Sequence, residues 1–215
     1  MGYCFDIKLN VKTMKYIIIG MHGSGKQEVA DILENNGVRC GRLFTNLDNP
    51  TASNIYNGSN YEQYSTKDIN EIFENNAYIF LQEFPFGDTI TINANKYYEG
   101  LSLYEFENND VFVISPDQLF SISPASVKDD ITFIWMDNPK KNRLNRYYSE
   151  RRTYNFYNRE DIELKDSSSF VKLLYGFDKS NVIYFTNEEP SRIAAIVYSA
   201  IKHPELLPMY IQAFN

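Results

Sequence analysis

Residues 15–27 read KYIIIGMHGSGKQ, and the spacing of glycine and lysine in that stretch fits phosphate chemistry. Gly20, Gly25 and Lys26 match G-x-x-x-x-G-K, in which small residues let backbone N–H groups close around phosphate oxygens while the lysine neutralises the outer ones. Gly23 and Ser24 add to the cradle. Such a loop holds the donor phosphates of ATP, with Mg2+ as the accompanying ion. The hydroxyl that would normally follow the lysine and meet that ion is here Gln27, so the expected contact is indirect, through a metal-bound water.

A second group of residues suits charge that develops during phosphoryl transfer. Lys140, Lys141, Arg143, Arg146, Arg151, Arg152 and Arg159 stand in one segment against Glu150, so a third of the chain's 21 positive side chains lie together. Arg143 and Arg146, three apart, share a helix face, and Arg151 and Arg152 fall near its end. Guanidiniums make oriented, bidentate phosphate contacts that lysine does not. The segment is expected to be a lid, and one such arginine is worth roughly 10³–10⁵ in rate. The plainer alternative is a solvated helix surface with an Arg146–Glu150 pair. Tyr147, Tyr148, Tyr154, Phe156 and Tyr157 interleave with the cations. They either pack the lid on the core or stack bases of a single strand, so a polymer substrate stays open.

The elements that position these groups follow from periodicity. Tyr16 to Ile19 form a β-branched apolar run, and Val29, Ile32 and Leu33 recur at helical spacing until Asn36-Gly37. Phosphate would thus sit at a helix N-terminus, where unpaired N–H groups and the helix dipole favour anions. A second strand is expected over 39–44, then a polar loop over 45–60 containing Pro50. Ser65 and Thr66 cap a predicted helix over 67–75, and two strands are expected over 77–81 and 89–93. Residues 111–115 and 131–136 read as strands covered on both faces. A helix begins at Pro139, another follows Asp166 and Ser167 to Tyr175, a last strand covers 181–185, and a last helix covers 190–202. Strand–helix alternation behind a phosphate loop predicts an α/β, three-layer P-loop fold. It has a parallel core sheet, a small α+β insert over about 45–108 and a helical lid over about 139–165. Residues 1–13 read as an N-terminal extension, and 14–215 as one domain.

With 215 residues, 43% hydrophobic, the chain can bury a sizeable core. A net charge of −7 excludes general adhesion to nucleic acid or anionic membrane, so an anionic ligand must meet a local positive patch. Cys4 and Cys40, the only cysteines, build neither a disulfide framework nor a metal-ligand pattern. With no apolar run of about 18 residues, a soluble cytoplasmic protein is expected. Heavy use of Asn, Ile and Tyr fits an A·T-rich source such as a virus, which would place it in host cytoplasm.

Loop, insert and basic lid in this order resemble the guanylate kinase family of nucleoside monophosphate kinases over about residues 14–203. In that family a Thr-Arg motif, a second arginine and later tyrosines bind the monophosphate. Thr45 matches the threonine, Asn46 stands at the arginine, and no arginine occurs from Leu43 to Asn142. Tyr61 and Tyr64 look like the tyrosines, with Arg39 and Arg42 as substitute cations. FLQE resembles the family's FLE, so either Gln82 or Glu83 holds the base-reading place. SPD is similar to D-x-D, placing Ser115 and Asp117 at its acids, and Asn187 resembles an adenine-side asparagine. The resemblance implies ATP- and Mg2+-dependent phosphorylation of a nucleoside or deoxynucleoside monophosphate. Lys26, Arg143, Arg146, Arg151 and Arg152 would serve the transfer. A kinase for a modified base or for a nucleotide within a strand is a variant of the same reading. The competing class is a nucleotide- or protein-binding module that has lost turnover, which Gln27 and the arginine-poor acceptor site would allow.

Overall fold

The structure is a computed structural model that describes residues 14–46, 61–85, 96–122, 131–149 and 182–214. The predicted helix ending at Tyr175, the predicted strand over 89–93, and Arg151, Arg152 and Arg159 lie outside these residues, as does the expected 1–13 extension.

β1 (Lys15–Gly20) is buried at every position. It pairs in parallel with β6 (Val111–Ile114) on one edge and β7 (Ile131–Asp137) on the other, and β8 (Val182–Thr186) continues the sheet in the order β6-β1-β7-β8. This arrangement explains the unbroken apolar run, since a central parallel strand has two faces to cover. Tyr16 and Ile18 join Val29, Leu33, Ile134, Phe185, Ile193 and Val197 in one core layer. Ile17 and Ile19, facing the other way, join Phe80, Leu101, Phe106, Phe112, Leu119 and Phe133 in the second. The first layer is roofed by α1 (Lys26–Asn35) and by a helix over Pro190–Lys202. α1 ends as its sequence signals. Gly37 adopts φ +80° and the Val38 amide returns to the Leu33 carbonyl at 3.1 Å, a Schellman closure.

The second sheet has the order β3-β2-β5-β4, built from β2 (Leu43–Thr45), β3 (Tyr61–Gln63), β4 (Tyr78–Pro85) and β5 (Lys96–Ser102). The strand expected over 39–44 is divided between the two sheets. Cys40 makes one parallel bridge to Val111 beside the core sheet, and only from Leu43 does the chain pair within the insert. The division follows from Gly41, where a Cβ would stand 2.2 Å from the Phe112 ring, so the backbone passes too close to β6 for an ordinary strand. α2 (Thr66–Glu74) carries the expected cap: Asp68 N–H donates to Ser65 Oγ at 3.2 Å, and Ser65 N–H donates back to the Asp68 carboxylate at 3.0 Å. Two short helices, α3 (Leu103–Asn108) and α4 (Pro116–Phe120), flank β6 and were not anticipated. Buried Lys15 donates to the Glu107 and Asn109 carbonyls at 3.2 and 2.7 Å, tying the end of α3 to the core sheet.

α5 (Lys140–Ser149) follows β7, and the helix over Pro190–Lys202 is α6. α7 (Leu207–Phe214), also unanticipated, packs on α6 through a 2.9 Å hydrogen bond from Tyr210 to Ser199 Oγ. Among the described residues no helix is long and apolar enough to cross a membrane.

Gly100 tests the packing of the insert. A Cβ there would meet Phe44 Cζ at 2.4 Å and the Phe80 carbonyl at 2.6 Å, whereas a Cβ at Gly37 meets nothing within 4 Å. Gly100→Ala is expected to lower stability by about 1–3 kcal/mol through overpacking. Gly37→Ala should cost about 1–2 kcal/mol from its left-handed backbone alone. Urea unfolding midpoints of the two variants measure both.

Candidate active site

The loop from Gly20 to Lys26 emerges from the carboxyl end of the central strand, at the edge where parallel α/β sheets bind ligands. Gly23 at φ +77° and Gly25 at φ +92° hold left-handed conformations that glycine adopts without cost. Each also sits where a side chain would collide, Gly23 with the Arg143 carbonyl at 2.8 Å and Gly25 with Pro190 Cγ at 2.9 Å. Lys26 folds back on the loop, donating to the Gly20 carbonyl at 2.5 Å and the Met21 carbonyl at 3.1 Å. Ser24 is fully buried, and its Oγ has no hydrogen-bond partner among the described residues. A buried orphan hydroxyl in a glycine-rich loop at the start of a helix fits a bound phosphate oxygen.

The loop is held from outside by the start of α5. Asn138 donates to the Ser24 carbonyl at 2.6 Å. Arg143 donates from Nη1 to the His22 carbonyl at 3.1 Å and from Nε to the Asn138 carbonyl at 3.0 Å. Arg143, expected as a phosphate-facing lid arginine, is only 5% exposed, so its cation braces the loop from behind. One turn on, the Arg146 guanidinium lies 3.0 Å from where a Gly25 Cβ would stand and pairs with Glu28, while the anticipated partner Glu150 lies outside the described residues.

Beside the loop lies a pocket of about 670 Å3 lined by Gly23, Glu28, Asn142, Arg146, Asn187 and Glu189, among others. Asn187, at φ +56°, accepts from Asn142 at 2.7 Å and so joins the turn after β8 to α5. The pocket has the size of a nucleotide-scale ligand site. Gln27, expected near the metal, donates from Nε2 to Asp31 at 2.7 Å along α1. Among the described residues no group of three or more His, Cys, Asp or Glu could hold a metal by itself.

The expected acceptor residues divide. Register pairs Thr45 with Glu99 and Glu99 with Gln82, so these three share one face of the insert sheet. That face meets the end of β6. Gln82 Nε2 donates to the Asp117 carbonyl at 2.9 Å and to Ser121 Oγ at 2.8 Å. Gln118 Nε2 donates to Glu99 at 2.9 Å and to Tyr61 Oη at 3.0 Å. Strand alternation turns the next residue away: Glu83 is exposed and accepts from Tyr98 at 3.3 Å, so Gln82 is the inward residue of the pair. Ser115 and Asp117 are both buried at this junction. Tyr64 stacks on Phe44 with ring centroids 5.4 Å apart, and burial with nearby Glu62 raises its pKa.

Arg42 is not brought to this place. It pairs with Glu34 at 2.9 Å in the last turn of α1, the end opposite the phosphate loop, and Arg39 pairs with Asp110 at 2.8 Å. Asn46, at the family's arginine position, accepts from the Tyr98 amide at 2.7 Å and serves the backbone. Sequence reasoning missed Glu99 and Gln118. A glutamate inside KYYEGLS looks like an exposed strand residue until the register shows what it faces.

The two described arginines of α5 should separate by assay. Arg143→Ala removes a buried cation from two carbonyls and is expected to lower stability by about 1.5–3 kcal/mol. Arg146→Ala removes a partly exposed ion pair and should cost less than about 1 kcal/mol. Urea midpoints of the two variants distinguish the roles, and equal stability losses would contradict them.

No family model matches the chain, and no curated protein does. Among solved structures it is similar to guanylate kinase from Anaplasma phagocytophilum, at 12% identity and a TM-score of 0.50, covering 90% of this chain and 87% of that one. It also matches a shikimate kinase from Acinetobacter baumannii in complex with shikimate, at 14% identity and a TM-score of 0.41, covering 91% and 97%. The phosphate loop on the central strand, the parallel sheet and the separate insert sheet agree with the first likeness. The chain has a divergent guanylate kinase-like P-loop kinase fold.

Proposed function

We propose that this chain transfers the γ-phosphoryl group of ATP to a nucleobase-bearing acceptor seated between the insert sheet and the carboxyl end of β6. The observation that carries the reading is the loop itself. Two left-handed glycines, a lysine folded onto loop carbonyls and a buried orphan Ser24 hydroxyl form a phosphate cradle at the start of α1. The neighbouring pocket, bounded by Arg146 and Asn187, takes the donor base and ribose. The fold likeness supports kinase chemistry as a class, and the sequence resemblance adds nucleoside monophosphates as the first acceptors to try.

In this mechanism Lys26 leaves the Gly20 and Met21 carbonyls for the β- and γ-phosphate oxygens, and the loop amides converge on the same oxygens. Arg146 exchanges Glu28 for the transferring group as its charge spreads, an interaction that strengthens toward the transition state. Arg143 and Asn138 keep the loop in register with α5, so that loop and lid root move as a unit. Gln27 would meet a Mg2+ arriving with the triphosphate through a metal-bound water, and the ion would neutralise charge on the phosphates. Residues 45–108 would then be the acceptor unit and 139–165 the lid, with Arg151 and Arg152 as further lid cations.

The second reading, a module that binds nucleotide without turnover, is favoured by one observation. Gln27 stands where a metal-binding hydroxyl is expected, and its amide is engaged with Asp31. Gln27→Thr is expected to maintain or raise Mg2+-dependent ADP formation, and a fall to background would show that the glutamine has its own role. Lys26→Ala should weaken ATP binding about 10- to 100-fold, the worth of hydrogen bonds to a charged group, in a variant that still unfolds cooperatively in urea. Calorimetric titration with ATP tests this directly, and unaltered affinity removes the proposal. ATP binding without ADP formation, across all acceptors including a single-stranded oligonucleotide, would favour the binding module.

A further inference from the structure

The acceptor notch is built around an acid, and we infer that it takes an uncharged, hydroxyl-bearing acceptor, a nucleoside, in preference to a nucleoside monophosphate. This rests on the phosphotransfer reading and narrows its substrate. Glu99 has no exposed surface and lies between Thr45 and Gln82 on the inward face of the insert sheet. Tyr61 donates its only hydroxyl proton to Glu99 at 3.4 Å while its oxygen accepts from Gln118 at 3.0 Å. Gln118 is committed on both sides: its Nε2 donates to Glu99 and Tyr61, and its Oε1 accepts from the Ser115 amide at 2.9 Å. The tyrosine that the family resemblance assigns to the acceptor phosphate is therefore spent on a protein carboxylate.

Among the described residues the notch is also poor in positive charge. Arg42 is paired with Glu34 and Arg39 with Asp110, both away from the carboxyl edge of the sheet, and Asn46 replaces the remaining cation of the motif. A phosphate dianion placed here would face a buried carboxylate in a medium that screens it weakly. The groups left open suit a neutral ligand. Gln82 Oε1 and Ser115 Oγ are buried with no hydrogen-bond partner among the described residues, one able only to accept and the other to accept or donate. They match the N–H and O–H groups of a base or sugar, and offer a phosphate only the Ser115 hydroxyl.

A hydroxyl nucleophile, unlike a phosphate oxygen, must lose a proton, and the site holds a group to take it. Asp117 lies three residues past Ile114, the register partner of Ile19, so β6 carries the acid at the same carboxyl edge of the sheet as the phosphate loop. The acceptor hydroxyl oxygen forms the new bond to the γ-phosphorus, and the bond from that phosphorus to the β–γ bridging oxygen breaks with its electron pair leaving on ADP. The hydroxyl proton passes to the Asp117 carboxylate and then to water.

The test compares the common nucleosides and deoxynucleosides with their matched 5′-monophosphates in an ADP-release assay on the full chain, with product phosphorylation checked by mass. At least one nucleoside is expected to give a kcat/KM tenfold or more above its monophosphate. Glu99→Gln should narrow that ratio tenfold or more by lowering the KM of the monophosphate. Tyr61→Phe, which deletes the donor but keeps the carboxylate, should preserve the nucleoside preference. Better turnover of a monophosphate by the unaltered protein overturns the inference, and so does intact ATP binding with no nucleoside phosphorylated. Loss of ATP binding would instead strike the phosphate-loop reading beneath it.

Discussion

The fold depends on a constraint imposed on β1, a strand that must be apolar on both faces and yet deliver a polar loop at one end. Parallel neighbours on both edges satisfy its backbone, and six consecutive buried residues satisfy the two layers above and below it. Nothing in the strand can turn toward solvent, so the chain changes character at Gly20. There a Cβ would meet both the Met136 carbonyl and Ser24 Oγ at 2.7 Å. The loop is thus forced out at the sheet's carboxyl edge, between β6 and β7, where parallel α/β sheets bind ligands. The same edge carries Asn138, Ser115 and Asp117 from the neighbouring strands, and the proposed donor and acceptor places rest on that topology.

What could be read from the sequence divides along the same line. The phosphate loop, β1, β6, β7, β8, α1, α2 and α6 were legible because each is a long apolar pattern with a capping or breaking residue. Pro190 opens α6 and Lys202 closes it as the spacing indicates. The insert was less legible because β2 and β3 have three residues each, too few for a period to show. β5 carries Glu99 and Gly100 at its centre, a charged and a side-chain-free residue that interrupt any apolar pattern, although both are buried there. Strand pairing hid the polar row of Thr45, Glu99 and Gln82, for residues 45, 82 and 99 become neighbours only through register. Arg143, expected to face phosphate, is buried against the His22 and Asn138 carbonyls, since sequence gives a helix face but not what lies against it.

Burial also separates reactive groups from inert ones. Cys40 is half-buried near Glu34 and Asp110, which together with desolvation push its thiol pKa up to about 12. Tyr16, whose hydroxyl donates to the Ala200 carbonyl at 3.0 Å, is likewise raised to about 12 by burial and Asp110. Both are held neutral at ordinary pH, and their role is to join layers rather than to react.

The charges of the chain then acquire a spatial logic that its net −7 conceals. Arg39 and Arg42 are spent on Asp110 and Glu34 at the end of the sheet away from the loop, where they tie secondary structure together. Lys15 is spent on the carbonyls ending α3. Lys26, Arg143 and Arg146 remain around the phosphate cradle, while Glu99 and Asp117 stand on the acceptor side. On the proposed function, a triphosphate would be drawn to the loop and repelled from Glu99 and Asp117, so the field that binds the donor would also orient it. In a chain of net charge −7 this separation of a few committed side chains would supply direction to the transfer.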